Sequence, residues 1–404
     1  MANDGTSSRG LRVAIVGGGL GGLCAAAFLH RAGAQVTLFE QAPKLTETGA
    51  GINMGPNAGR VLHHLGVTDA LIKAGEIVET AWEFRRWQDG SVLFSQERGE
   101  AALRRYGAHG YFIHRADLLD ILRGVVPSEI VELGRKCTGL EQDANGGRLS
   151  FADGSTAEAD VVIGADGVHS VVRDAVDGAV ATTFSGQCAW RCLIPARAAA
   201  QFALRPVQTI WIGPGRHVTH YPIRGRQWVN AVAITPASEW TAESWATAAA
   251  VSDLVAEFEG WDSRLTDLLA ASATSRWALL QRDPLARWTA GRIALLGDSA
   301  HPMFPFLGQG AGQALEDAAS LSECLAGATT ADVPRALQRY ELLRMPRAYE
   351  VQRRSREAGE QEHLPDGPEQ QLRDQQYARR DPVGHYSWLY EHDARAHAAQ
   401  APAR

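Results

Sequence analysis

The first apolar stretch, Leu11 to Val16, is a short β-branched run that stops at a glycine turn; an alanine-rich segment follows to about "RAGA", and a second apolar run ends at Glu40. This pattern predicts a β-α-β unit. "GAGINMGPNAGRVLHHLGV" reads as a glycine-rich loop opening into a helix near Pro56 and Asn57, and "AWEFRRWQDGSVLF" as a hairpin turning at Asp89-Gly90. "HRADLLDIL" opens another helix, and from about 130 to 163 short strands alternate with turns such as "DANGG" and "ADGS". "AEADVVIGADGVHSVVRDAV" repeats the order strand, turn, helix. The runs "CAWRCLIPA", "QTIWIG", "RHVTHYPI" and "WVNAVAITP" then predict an antiparallel sheet, followed by a helix near "SDLVAEFEGW". "GRIALLGDSAHP" returns to strand and turn; beyond Pro346 the charged, glutamine-rich chain predicts helices against the outside and then a ragged tail.

The order of elements predicts an α/β (α+β) chain. A Rossmann-like dinucleotide-binding domain is discontinuous in sequence (10–75, 105–179 and 283–330), a mainly antiparallel β-sheet domain is inserted (76–104 and 180–282), and a C-terminal helical segment and tail closes the chain (331–404). The 404 residues carry 45% hydrophobic and 21% charged positions and a net charge of -6, which gives no general attraction to nucleic acid or an anionic membrane. Five cysteines without metal-type spacing suggest neither a disulfide framework nor a zinc site. No apolar run reaches membrane-spanning length, and "MANDGTSSRG" reads as a loose polar tail rather than a signal sequence. We therefore expect a cytoplasmic protein, a monomer or homodimer, with small-molecule partners.

Gly17, Gly19 and Gly22 occupy the positions of a G-x-G-x-x-G turn. The first permits the tight turn, the second lets backbone approach a pyrophosphate, and the third lets helix and strand pack closely. Glu40, at the end of the next strand, is placed to accept hydrogen bonds from adenosine ribose hydroxyls. A dinucleotide site is the expectation.

Three motifs stand in order: "GGGLGG" with Glu40, "GADGVHSVVR", and "LLGDSAHPMFPFLGQGAGQALEDA". Together they resemble, over about residues 10–350, the single-component FAD-dependent aromatic hydroxylases, the class A monooxygenases of the p-hydroxybenzoate hydroxylase fold. Within that family the chain most resembles the salicylate, 3-hydroxybenzoate and 6-hydroxynicotinate hydroxylases, and a carboxy-terminal domain like that of phenol hydroxylases is not expected. The resemblance implies FAD as resident cofactor and NADH or NADPH as a transient reductant. It further implies electrophilic transfer of one oxygen atom of O2 from a flavin C4a-hydroperoxide to an activated small aromatic substrate, with decarboxylation where the carboxylate sits on the attacked carbon. It places Asp298 at the ribityl chain, with helix capping as the alternative, and Pro305, Gly308, Gly310 and Ala311 beside the flavin ring. Arg115 falls near the phosphates or ribityl chain, and Asp166 in a segment that serves both FAD and the reductant.

"RHVTHYPI" alternates faces, so His217, Thr219 and Tyr221 share one side, and Val218 and His220 the other. The His-x-x-x-Tyr pattern resembles that of the 3-hydroxybenzoate and 6-hydroxynicotinate hydroxylases, whose matching residues face the substrate. A phenol with a pKa near about 10 needs its proton withdrawn, and histidine, near about 6.5, suits that transfer. His217 is thus the candidate base and Tyr221 its hydrogen-bonding partner. Phe306 stands where 6-hydroxynicotinate hydroxylases commonly carry histidine, which makes that wall apolar and leaves Arg191 and His301 as polar contributors. Two rivals stay open: a non-catalytic FAD-binding regulator, and a flavin-dependent halogenase, whose W-x-W-x-I-P motif "WRCLIP" resembles except at Cys192.

Overall fold

A computed structural model of the chain describes residues 10–45, 50–178, 182–238 and 246–401. The expected loose tail at residues 1–9 lies outside them. The central sheet runs, edge to edge, through Thr289–Ala290, Ile293–Leu295, Val161–Gly164, Arg12–Val16, Gln35–Glu40 and Val131–Leu133. Every pairing is parallel except that of the first two strands. Ile15, Leu38, Val161, Val162, Ile163 and Leu295 are fully buried. Burial on both faces is what turns these strands into continuous apolar runs instead of alternating ones.

A second sheet of eight strands takes in Thr80–Arg86 and Val92–Glu97 at one end and Thr183–Pro195, Val207–Gly213, Arg216–Ile223, Trp228–Pro236 and Ala273–Gln281. Its pairings are antiparallel except one: Val207–Gly213 lies parallel to Thr80–Arg86, which is how the early hairpin joins strands from far along the chain. One face packs Trp190, Trp211, Val218 and Ala231 beneath the helices Val251–Glu257 and Ser263–Ala270. The other face looks toward the central sheet.

Two expectations need correction. Gly51–Met54, read as loop, is a strand paired antiparallel with Tyr111–His114. A glycine suits it because a Cβ at Gly51 would meet Asn230 at 2.8 Å and Tyr221 at 2.9 Å, and its amide donates to Asn230 Oδ1 at 2.6 Å. Nor is the chain ragged over its last described residues, to 401. Val333–Glu362 is one helix of 30 residues that runs through Pro346, and Ala394–Gln400 is a closing helix with Ala394 and Ala398 buried. Tyr390, 1% exposed, accepts from Trp82 Nε1 at 3.1 Å. Among the described residues no helix is long and apolar enough to cross a membrane.

Candidate active site

Three adjacent parallel strands, Arg12–Val16, Val161–Gly164 and Ile293–Leu295, all end at the same edge of the central sheet. Motifs separated by well over a hundred residues therefore meet there, as ligand sites of open α/β sheets generally do. The turns Gly17–Gly19, Ala165–Gly167 and Leu296–Asp298 line one cleft of about 910 Å³, which continues to the inner face of the second sheet.

The glycine turn is shaped by contact. Gly17 has φ +111°, and a Cβ there would sit 2.3 Å from the Ala165 carbonyl oxygen. Gly22 lies beneath the cleft, where a Cβ would meet the Gly17 carbonyl oxygen at 2.0 Å. At Gly19 a Cβ would touch nothing within 4 Å, so backbone there opens directly on the cleft. Glu40 lines the same end; its Oε2 accepts from the Gly18 amide at 2.7 Å and its Oε1 from the Ala42 amide at 2.8 Å. Those bonds hold the carboxylate in place and leave it further lone pairs for sugar hydroxyls. Arg135 and Lys136 also line this end and were not singled out from the sequence.

Asp298 is exposed to the cleft in the short turn Gly297–Ser299, with Pro305, Gly308, Gly310 and Ala311 beyond it. Asp298 makes no N-cap bond to the helix Gly310–Leu325, whose first turn opens on the cleft. Arg115 lines the cleft at the start of the helix Arg115–Arg123. Asp166 lines it too, yet its carboxylate is engaged: Oδ2 accepts from the Val171 amide at 2.8 Å and Oδ1 from Ser299 Oγ at 3.2 Å and from Ser170 Oγ. It fixes the turn more than it reaches outward. FAD fits what is present: an open glycine backbone, two helix N-termini aimed at one cleft, and the carboxylates of Glu40 and Asp298 lining it.

His301 does not join the cleft. It is fully buried, its Nε2 2.6 Å from Asp317 Oδ2, under Trp288. Arg344 reaches in from the long helix, donating to Asp317 Oδ1 at 2.8 Å, Glu316 Oε2 at 2.7 Å and Gln313 Oε1 at 2.8 Å. Arg347 and Arg344 hold the Glu316 carboxyl well below its usual range despite complete burial. This network anchors the helix Gly310–Leu325 from behind.

On the second sheet the strand alternates as its pattern requires. His217, Thr219 and Tyr221 line the cleft, whereas Val218 enters the opposite core and His220 accepts from Trp211 Nε1 at 3.0 Å. Cross-strand register sets a grid: Ala189, Ile234 and His217 form one row, and Arg191, Val232 and Thr219 the next. Arg191 lies over the Trp277 ring at 4.1 Å. Val232, Ile234, Leu279, Phe304 and Phe306 supply apolar surface, and Gln208 and Asn53, bonded to each other at 2.6 Å, add a polar pair that the sequence gave no reason to pick. Burial and the neighbouring His363 push the His217 imidazole well below its usual range, so it is neutral at neutral pH. Burial pushes the Tyr221 hydroxyl up, opposed by Arg191, and keeps it a donor.

Fold and cleft together define a flavin-dependent oxidoreductase whose cleft runs on to the inner face of the second sheet. The chain belongs to the family described as FAD binding domain, whose model matches residues 10–355, and it is a class A FAD-dependent aromatic-ring monooxygenase. It is 44% identical over 384 residues to a 3-amino-4-hydroxybenzoate 2-monooxygenase of Streptomyces platensis, covering 95% of this chain and 96% of that one. It is 36% identical over 345 residues to a 6-hydroxynicotinate 3-monooxygenase of Bordetella bronchiseptica, covering 85% and 90%. A solved salicylate hydroxylase substrate complex superposes with a TM-score of 0.83 at 30% identity, covering 97% of this chain and 98% of that one. FAD, when bound, would supply the electron transfer and oxygen activation, leaving binding, orientation and exclusion of water to the protein.

Proposed function

We propose that the enzyme hydroxylates a small aromatic carboxylate carrying a ring hydroxyl, of the 3-amino-4-hydroxybenzoate, salicylate, 3-hydroxybenzoate or 6-hydroxynicotinate type, with NAD(P)H and O2. The observation that carries this reading is the grid on the second sheet. Arg191 stands two strands from Thr219, about 10 Å at ordinary strand spacing, with His217 and Tyr221 flanking Thr219 along its strand. That spacing suits a benzoate-sized ring whose carboxylate meets Arg191 and whose hydroxyl meets His217 and Tyr221. His217 takes the phenolic proton as Tyr221 orients the oxygen, and the apolar walls exclude water. The strands of the second sheet, within the segments 76–104 and 180–282, thus supply the substrate-binding wall. The 3-amino-4-hydroxybenzoate relative is named for attack at ring position 2, a carbon that carries no carboxylate, which supports hydroxylation without decarboxylation.

The test is stopped-flow mixing of FAD-loaded protein with NADH and with NADPH, anaerobically and in air, across those four compounds, with product analysis. One compound is expected to accelerate flavin reduction and return a hydroxylated product. If none of them does either, the substrate class is wrong.

A further inference from the structure

The helix Val333–Glu362 ends behind the substrate wall. Glu362 is 2% exposed, and His363 after it is half-buried. His217 Nδ1 lies 2.8 Å from His363 Nε2 and 3.3 Å from Glu362 Oε2. Phe306 meets both imidazoles edge-on, at 5.5 and 5.8 Å, and it lines the cleft together with His217. His363 Nδ1 is 3.5 Å from Gln187 Nε2, and with the amide inverted Nδ1–H donates to Gln187 Oε1 instead. Neither Glu362 nor His363 lines the cleft, so cofactor and substrate contact do not explain a buried carboxyl beside two imidazoles.

We propose that His363 and Glu362 form the proton exit of His217. The inference rests on the reading of His217 as base. With Nδ1–H donating to His363, the His217 Nε2 lone pair is free to act, and Nε2 makes no hydrogen bond among the described residues. The phenolic O–H bond breaks and an N–H bond forms at Nε2. The Nδ1 proton then passes to His363 Nε2, and His363 releases a proton from Nδ1 toward solvent. One proton leaves the substrate, and no electron changes hands. Once ionised, above about pH 8, Glu362 is the countercharge to the imidazolium, so both residues are positioning groups acting through His217.

The surrounding charges fit that role. Arg373 and Arg380 face Glu362, with Tyr377 and Tyr386 packed nearby, and Arg216 faces His363. Burial pushes the Glu362 carboxyl up to about 8 against the pull of the two arginines. Burial likewise draws His363 down to about 4, so it passes a proton on instead of storing it.

The test uses FAD-loaded wild type, E362Q and H363Q with 3-amino-4-hydroxybenzoate as probe. The ultraviolet difference spectrum of the bound probe against pH reports its ionisation, and an indicator dye in H2O and D2O reports proton release on mixing. Glutamine at 363 can accept the Nδ1–H bond but cannot pass a proton. H363Q is expected to slow proton release at least about tenfold, and E362Q to raise the ionisation pH of the bound phenol by about one unit or more, a tenfold change in its equilibrium. Unchanged release and ionisation in the variants overturn the exit and leave the hydroxylase reading standing. A wild type that binds the probe only as neutral phenol overturns the base role of His217 and this inference with it. Should one variant lose FAD, the other decides.

Discussion

Gly359 lies near the end of the helix Val333–Glu362, where alanine is worth about 1 kcal/mol more than glycine by helix propensity. Propensity alone makes Gly359→Ala stabilising. The structure reverses that sign. A Cβ at 359 would lie 2.4 Å from two ring carbons of Phe306 and 3.0 Å from a third. Ordinary carbon contacts begin near about 3.5 Å, so the ring must retreat by about 1 Å. It has little room, with Phe304 stacked at 5.3 Å and both histidines against its edge. Overpacking of this kind costs about 1–3 kcal/mol, which leaves a net loss of roughly 0–2 kcal/mol. The retreating ring moves along the substrate wall, so KM should rise several-fold with a smaller change in kcat. Urea unfolding of the FAD-loaded protein by far-ultraviolet circular dichroism gives the stability, and steady-state assays with whichever of the four aromatic compounds is turned over give KM. F306L combined with G359A should recover the midpoint. A G359A protein that gains about 1 kcal/mol with unchanged KM would refute the reasoning.

Three further outcomes follow from single contacts. Arg344→Met leaves Asp317 and part of Glu316 buried without their cation, and thermal unfolding should register a loss of about 3–5 kcal/mol; a shift under 1 kcal/mol would mean that the network carries no such weight. Glu40→Gln replaces a carboxylate that accepts from two amides and should weaken FAD binding about tenfold, read by flavin fluorescence on titration of apoprotein. Glu362 keeps its proton in the folded state until about pH 8, whereas the unfolded chain gives it up near about 4.3, so wild type loses stability as pH rises through that window. Glu362→Gln removes the loss, and its unfolding free energy should overtake wild type by on the order of 3 kcal/mol between pH 5 and 8; parallel pH profiles would sink the assignment.

What was legible from sequence follows chain distance. The glycine turn, its strands and Glu40 could be read because the whole motif lies within about thirty residues, although the Ala165 carbonyl oxygen that crowds Gly17 comes from far along the chain. His217, Thr219 and Tyr221 could be assigned one face because period 2 is a property of the strand itself. The strand Gly51–Met54 could not, since its pairing with Tyr111–His114 and the Asn230 side chain against Gly51 are set by tertiary packing that overrides a glycine-rich composition. Glu362 and His363 were invisible for the same reason: the charged run around them reads as solvated surface until the helix end is seen against a strand 146 residues earlier.

The motif from Leu295 to Ala318 shows why residue type alone does not assign a role. It holds two aspartates, and the fold divides them. Asp298 sits at a bend after the strand and faces the cleft. Asp317, two turns into the helix, faces inward, where His301, Arg344 and the Gly297 amide at 2.9 Å all converge on it. The Gly297 bond ties that buried carboxylate to the turn that carries Asp298. Helix and turn are therefore locked together across the cofactor cleft, so a change at Asp317 should alter flavin affinity without touching the flavin, whereas a change at Asp298 should alter it with the fold intact. Comparing apoprotein stability and FAD affinity for Asp298→Ala and Asp317→Asn separates the two roles: only the second should lower both.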